Sequence, residues 1–286
     1  MNLCSERDLR PLLERHGFRF SKSMGQNFLI DPEIPAAIAD ASGADKYSGV
    51  LEIGPGVGAL TAELSKRAGK VVSVELDRAL LPVLAETMDG LENVEIVQGD
   101  ALKLDLSALA AERFQGLTPM VCANLPYNIT SPILEKLILT PCFQSVTVLV
   151  QKEVAERLAA PEGSGDGGSF ALFLRYHMVP EIALEVSREK FLPRPKVDSA
   201  LLRCVRRAAP AVDVPDEAYF FRVVRGAFLL RRKTIVNSLA AALPEVPKEA
   251  VRDAVRAAGL PETVRGERLT LQDFAELSRL LRAAET

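Results

Sequence analysis

The chain has no tryptophan and only two histidines, His16 and His177, among its 286 residues. Neither histidine lies in a motif, so an imidazole-based nucleophile, general base or metal set has little to stand on. The four cysteines, Cys4, Cys122, Cys142 and Cys204, are far apart and form no CxxC or Cys/His pair. That spacing excludes a zinc site and a dithiol redox motif, and it points to reduced thiols in a cytoplasmic protein. No metal is expected. The first residues carry no apolar signal core, and no apolar run is long enough to span a bilayer, so a membrane partner is not expected either. A formal net charge of −3 supplies no global field toward nucleic acid; any such affinity needs a local basic patch.

What is present is an alternation of short apolar runs and helical patterns. Ser5 to Arg15 reads as a capped helix ended by Gly17, and Asp31-Pro32 opens a helix to about Ser42. Strand candidates follow at Val50–Ile53, Val71–Val74, Val94–Val97, Met120–Ala123 and Val146–Val150. Helical patterns separate or follow them at Leu60–Ala68, Arg78–Met88, Ser131–Leu139 and Lys152–Ala160. This order demands a parallel sheet with right-handed crossovers and helices on both faces. Two further strands, Ile182–Val186 and Ala200–Val205, flank the proline-stiffened stretch Phe191 to Ser199. Pro161 to Gly168 reads as a flexible loop. A composition shift near Ala208 to Pro215 reads as a linker, and four helical patterns fill the remainder. The expected organisation is an N-terminal extension (1–24), an α/β domain (25–207) and a small helical domain (208–286).

Ligands in such sheets bind beyond the carboxyl ends of the strands. Four polar or glycine positions fall there: Gly54, Glu75, Asp100 and Asn124. Gly54-x-Gly56-x-Gly58-Ala59 fits a nucleotide-binding turn, which lets backbone approach a ligand at a helix N-terminus. Alone, that match serves nicotinamide oxidoreductases and S-adenosylmethionine (SAM) methyltransferases equally. Glu52, two residues before the turn, repels a pyrophosphate and tolerates an ammonium or sulfonium. Glu75 stands where a ribose-binding acid belongs, and Asp100 can accept from an adenine amine. Ala123-Asn124-Leu125-Pro126-Tyr127-Asn128 joins an amide, a ring-locked proline and an aromatic ring at a strand end, the parts needed to hold a planar, amine-bearing heterocycle.

These segments resemble the ribosomal RNA adenine N6,N6-dimethyltransferases. The resemblance rests on Gly25-Gln26-Asn27-Phe28-Leu29, Glu52-Ile53-Gly54-Pro55-Gly56, Glu75-Leu76-Asp77, Gly99-Asp100-Ala101 and Asn124-Leu125-Pro126-Tyr127-Asn128. Gln151 to Val154, Phe191 to Ser199, Arg231-Arg232-Lys233-Thr234 and Arg265 to Leu269 extend it in order along the chain. It implies a Rossmann-like SAM-dependent methyltransferase domain, with a seven-stranded, mostly parallel sheet, followed by a small C-terminal helical RNA-binding domain. It assigns Gln26, Asn27, Leu29, Gly54, Gly56, Glu75, Leu76, Asp100, Ala101 and Asn124 to the cofactor, making the N-terminal loop a lid. It also implies dimethylation of two adjacent adenosines near the 3′ end of 16S rRNA, on a precursor of the 30S subunit, by a monomeric enzyme. One block departs from the family: Gly168-Ser169-Phe170-Ala171-Leu172 stands where members usually carry Tyr-Gly-Arg-Leu.

The residues themselves outline a mechanism. The Asn124 side-chain oxygen and the Leu125 or Pro126 carbonyl can accept the two hydrogens of an adenine amine, while Tyr127 and Phe191 stack on its faces. RNA phosphates would be held by Arg203, Arg206, Arg207, Arg222, Arg225, Arg231, Arg232 and Lys233. A branch methylating 23S rRNA for macrolide resistance is the nearest alternative. Its members are usually strongly basic, whereas this chain has a pI of about 5.7, and they often carry isoleucine at the place of Leu125. A non-catalytic ribosome-assembly or transcription factor on the same fold is the alternative of another class.

Overall fold

Near-continuous runs of Val, Ile and Leu suit strands covered on both faces, and the chain places them in one sheet. The computed structural model describes residues 1–20, 25–230 and 232–284. In chain order, α1 (Glu6–Arg15), β1 (Phe28–Leu29) and α2 (Glu33–Ser42) precede β2 (Ser48–Ile53), α3 (Ala59–Ser65) and β3 (Lys70–Glu75). Next come α4 (Leu81–Thr87), β4 (Val94–Gln98), α5 (Leu106–Arg113), β5 (Thr118–Asn124), α6 (Thr130–Ile138) and β6 (Ser145–Gln151). After α7 (Lys152–Ala159) and α8 (Ser169–His177), the chain forms β7 (Met178–Val186), β8 (Phe191–Leu192) and β9 (Ser199–Arg206). It ends in α9 (Glu217–Ala227), α10 (Ile235–Ala242), α11 (Lys248–Ala257) and α12 (Leu271–Ala283).

The seven-stranded sheet has the order β4-β3-β2-β5-β6-β9-β7, and β1 pairs separately with β8. Strands β4, β3, β2, β5 and β6 run parallel, and β9 is antiparallel to β6. The chain steps outward from β2 to β3 and β4, then returns to lay β5 on the other side of β2. The reversal opens a crevice at the carboxyl ends of β2 and β5, where a ligand finds backbone from both directions. Val50, Val71, Cys122, Leu149 and Leu201 pack with Ile38, Leu60 and Leu64 of α2 and α3. Leu9, Leu12 and Leu13 of α1 pack on Val83, Leu84 and Met88.

The chain forms two units, one from 1–155 and 180–206, the other from 156–179 and the described residues from 207 on. This corrects two expected boundaries. Residues 1–20 are no separate extension, because the apolar stripe of α1 completes a core of the first unit. The stretch 25–207 is no continuous domain, because Leu172 and Tyr176 of α8 pack with Phe220, Leu239 and Phe274 in the core of the second unit. Nor is 161–168 a free loop: Arg268 Nη1 donates to Ser164 O at 2.6 Å, and Glu162 accepts from Leu271 N at 2.9 Å at the start of α12. Two helices had no counterpart among the sequence-based elements. For α5 a signal was present in Asp105, which caps it by accepting from Ala108 N at 3.0 Å; α8 is an aromatic-rich run without a clear helical period.

Candidate active site

Three glycines turn the chain from β2 into α3, and all have positive φ. At Gly56 (φ +61°) a Cβ would stand 3.0 Å from the ring of Phe28, so the N-terminal segment closes down on the turn only because that position is glycine. Beneath the turn Glu52 is 1 % exposed. Its Oε2 accepts from Thr61 Oγ1 of α3 and Ser73 Oγ of β3, each at 2.6 Å, so one carboxylate ties three elements together. Burial pushes it up to about 7 from the ordinary 4.5, against those two bonds. At the end of β3, Glu75 is 5 % exposed and is likewise raised to about 7, mainly by desolvation. Asp77 N donates to Glu75 Oε1 at 2.7 Å. At the end of β4, Asp100 Oδ1 accepts from Leu102 N at 3.0 Å.

Asn124 is the last residue of β5, and its Nδ2 donates to Asn27 O at 3.0 Å. A carbonyl only accepts, so the amide nitrogen must face Asn27 and Oδ1 must face the other way. The backbone beyond is fixed. Leu125 N donates to Leu149 O at 3.2 Å, and Pro126 O is occupied by Ile129 N at 3.2 Å and Thr130 Oγ1 at 3.4 Å. Among the described residues nothing donates to Leu125 O. Tyr127 is half-buried, and its hydroxyl lies 2.6 Å from Ser199 Oγ.

A cleft of about 1020 Å³, counting its open mouth, runs across these strand ends. Gln26, Asn27, Leu29, Gly54, Gly56, Glu75, Leu76, Asp100, Ala101 and Asn124 all line it, with Glu52, Leu125 and Pro126. Phe28, Asp77, Asn128 and Ile129 also line it without having been singled out. All four sit inside or beside the motif blocks, so proximity was the available signal.

The N-terminal segment forms the cleft's near wall. Phe28 and Leu29 pair with Leu192 and Phe191, Ile30 N donates to Lys190 O at 2.9 Å, and Asp31 pairs with Lys190 Nζ at 2.5 Å. This pairing also decides the place of Phe191. Phe191 offers no ring face to a base: it is 2 % exposed and packs among Leu29, Ile38 and Leu201, because pairing with Leu29 turns it into the core.

The basic residues divide by their partners. Arg206 is turned inward, donating from Nε to Phe143 O at 2.7 Å and from Nη2 to Ile138 O at 2.9 Å and Thr140 O at 3.1 Å; it caps the end of α6 rather than waiting for phosphate. Arg207 Nε donates to Arg175 O at 2.9 Å, and Arg203 pairs with Glu181 at 2.8 Å. In the second unit Arg222 pairs with Glu245 at 2.6 Å, while Arg225, Arg232 and Lys233 are exposed beside the exposed Leu229 and Leu230. Arg231 lies outside the described residues, as do Lys22, Ser23 and Met24 ahead of the first motif block. Among the described residues no group of acids, histidines and cysteines could hold a metal, and no helix is long and apolar enough to cross a membrane.

Residues 17–279 match the model of the family described as ribosomal RNA adenine dimethylase. The ribosomal RNA small subunit methyltransferase A of Geobacillus thermodenitrificans is 46% identical over 95% of this chain and 94% of its own length. That of Lysinibacillus sphaericus is 43% identical over 95% and 94%. Among solved structures, the 23S rRNA methyltransferase ErmE is 29% identical, with a TM-score of 0.70, over 89% of this chain and 99% of its own. A dimethyladenosine transferase from Plasmodium falciparum has a TM-score of 0.73 at 26% identity, over 87% and 95%. The chain belongs to the ribosomal RNA adenine dimethylase family.

Proposed function

We propose that the protein transfers methyl groups from SAM to the exocyclic N6 amines of two adjacent adenosines near the 3′ end of 16S rRNA. The observation that carries the reading is the orientation of the Asn124 amide, held by Asn27 O so that Oδ1 is the acceptor presented to a substrate. The residues around the cleft fit SAM. Buried Glu52 disfavours a pyrophosphate beside the turn, Glu75 stands ready for ribose hydroxyls, and the cleft has room for a nucleoside with an amino-acid tail. When bound, SAM supplies an electrophilic methyl on a sulfonium.

An adenine amine is a weak nucleophile because its lone pair is shared with the ring. Asn124 Oδ1 and Leu125 O can accept its two hydrogens and draw the nitrogen toward a tetrahedral shape. Pro126 O, the other candidate carbonyl, is already engaged by the turn that follows. Methyl transfer leaves the nitrogen cationic and strongly acidic, so its extra proton passes to water and no strong base is needed to take it. A base held this way must be extruded from the RNA at a cost of roughly a few kcal/mol. Stacking on Tyr127 can return about 1–3 kcal/mol of it. The hydroxyl bond to Ser199 fixes that ring in place beforehand.

The small-subunit assignment follows the relatives at 43–46% identity, all named for that subunit, over the 29% likeness to a 23S enzyme. We place the reaction in the cytoplasm, on a 30S precursor, with the enzyme monomeric. Phosphate contacts fall to Arg225, Arg232 and Lys233, with Arg203 and Arg222 recruited from their surface ion pairs. The intact amide and cleft weigh against a purely non-catalytic assembly factor.

The test is incubation with SAM and undermethylated 30S particles, mapping dimethyladenosine by mass spectrometry. Wild type should dimethylate both adenosines. Asn124→Ala should bind SAM within about threefold of wild type yet lose at least about a hundredfold in turnover, the scale seen when one preorganised polar group is removed. Unchanged turnover would sink the assignment.

A further inference from the structure

The amide of Asn124 is oriented by a backbone carbonyl, so whatever holds that carbonyl holds the catalytic geometry. Asn27 lies in a segment with little secondary structure of its own: β1 is two residues long and begins only at Phe28. Upstream of it, Gly25 has φ +63°, and a Cβ there would stand 2.9 Å from Asn128 Oδ1 and 3.6 Å from Pro126 Cβ, so the segment lies directly against the substrate loop. Asn27 Nδ2 closes a local turn on Gly25 O at 3.1 Å. The tie that reaches across the cleft is Gln26 Nε2, which donates to Asp77 Oδ2 at 2.8 Å.

Asp77 is placed to do more than cap the turn after β3. Its Oδ1 accepts from Ala79 N at 3.0 Å, which is the capping bond. Its Oδ2 is left for Gln26, and its own N–H donates to Glu75 Oε1 at 2.7 Å. A hydrogen-bonded path therefore runs from the acid at the end of β3, through Asp77 and Gln26, along one peptide to Asn27, and on to the amide at the end of β5. The two ends lie on either side of the cleft.

We propose that Asp77 is a positioning residue for methyl transfer, seating the 25–29 segment through Gln26 so that Asn27 O holds Asn124 Oδ1 toward the substrate amine. This rests on the reading that Asn124 receives that amine. Gln26 then serves by anchoring the wall of the cleft with its amide nitrogen, whatever its oxygen does. The arrangement links cofactor side to substrate side: a ligand that orders Glu75 and Asp77 also orders the amide that polarises the nucleophile. Accommodation of the cofactor and competence for transfer become one structural event.

A reciprocal exchange tests the Oδ2 arm while leaving the capping arm alone. Gln26→Glu sets two carboxylates against each other and should unseat the segment. Asp77→Asn keeps an oxygen for Ala79 N and sets no second carboxylate against the first, so it should be milder than Gln26→Glu. The double variant Gln26→Glu/Asp77→Asn restores the bond with donor and acceptor exchanged. With undermethylated 30S particles and saturating SAM, kcat of Gln26→Glu should fall about tenfold to a hundredfold, the range for a lost hydrogen bond to a charged group. Asp77→Asn should lose less than Gln26→Glu, and the double variant should recover at least about half, on a logarithmic scale, of the loss that Gln26→Glu shows. Equilibrium dialysis with SAM alone separates a binding defect from a transfer defect.

Rescue of kcat in the double variant supports the proposal, since a role confined to stability predicts no reciprocity. Three results overturn it: wild-type kcat in Gln26→Glu, a Gln26→Glu defect that disappears at saturating SAM, or a double variant that is inactive or unfolded. If Gln26→Glu itself does not fold, the double variant decides by the same criterion. A wild-type protein that methylates no adenosine overturns the functional reading and this proposal with it, and so is distinguishable from failure of the proposal alone.

Discussion

Glu52 shows how one residue makes the site expensive to keep folded at neutral pH. It is fully buried and its bonds come from two neutral hydroxyls, so desolvation dominates and its carboxyl is pushed up to about 7. The unfolded chain releases that proton near 4.5. Between about 4.5 and about 7 the native state therefore holds more protons than the unfolded state, and stability falls as pH rises through this window. The full effect is on the order of 3 kcal/mol. Glu75 acts in the same direction over the same range. In Glu52→Gln the side-chain oxygen can still accept from Thr61 and Ser73, while the titration is gone. Urea unfolding of this variant should give a shallower loss of stability between pH 5 and 7 than wild type, and a more stable protein at pH 8. An unchanged slope would show that Glu52 is not the group responsible.

At the scale of elements, two arginines with similar sequence surroundings do different work. Arg206 spends its guanidinium on the carbonyls that end α6, where four C=O groups lack helical partners. Arg232 and Lys233 are exposed. Arg206→Ala should cost about 2 kcal/mol of stability, from charge-assisted bonds to backbone. It should leave the salt dependence of RNA binding unchanged. Arg232→Ala and Lys233→Ala should do the reverse, each lowering the slope of log affinity against log salt by roughly 0.7–0.9 with little change in thermal stability. Filter binding over a salt series, beside thermal melts, separates the two classes.

The same contrast marks what was legible. Short apolar runs mark all seven strands of the sheet, most strongly in the inner strands β2, β5 and β6, where burial on both faces leaves a clear chemical trace. Strand-end position alone points to Gly54, Glu75, Asp100 and Asn124, which all line the cleft. The pair β1–β8 was illegible, being two residues on each side held by neighbours far away in sequence, and its pairing decides that Phe191 faces inward. The inward turn of Arg206 is illegible for a related reason: a charge on a strand end looks identical in sequence whether it meets solvent or carbonyls. Asp77 belongs to a motif block, yet nothing local in the sequence shows that its second oxygen reaches Gln26.

For the whole molecule, a net charge of −3 supplies no general attraction toward RNA, so the proposed grip must come from local groups. The second unit has a further property with practical weight: it is built from two separated stretches, 156–179 and the residues after Arg206. A cut at the apparent linker near Ala208 would not release the catalytic half intact. It would leave Leu172 and Tyr176 without Phe220, Leu239 and Phe274, the partners that bury them. A chain ending at Arg206 should bind the dye ANS and precipitate on concentration, whereas replacing 156–179 by a short polar bridge in the same truncation should restore solubility. Modularity in this chain is therefore topological rather than linear: its parts trade places only as interleaved sets, and a recombination joining two homologues at one crossover inherits a split core.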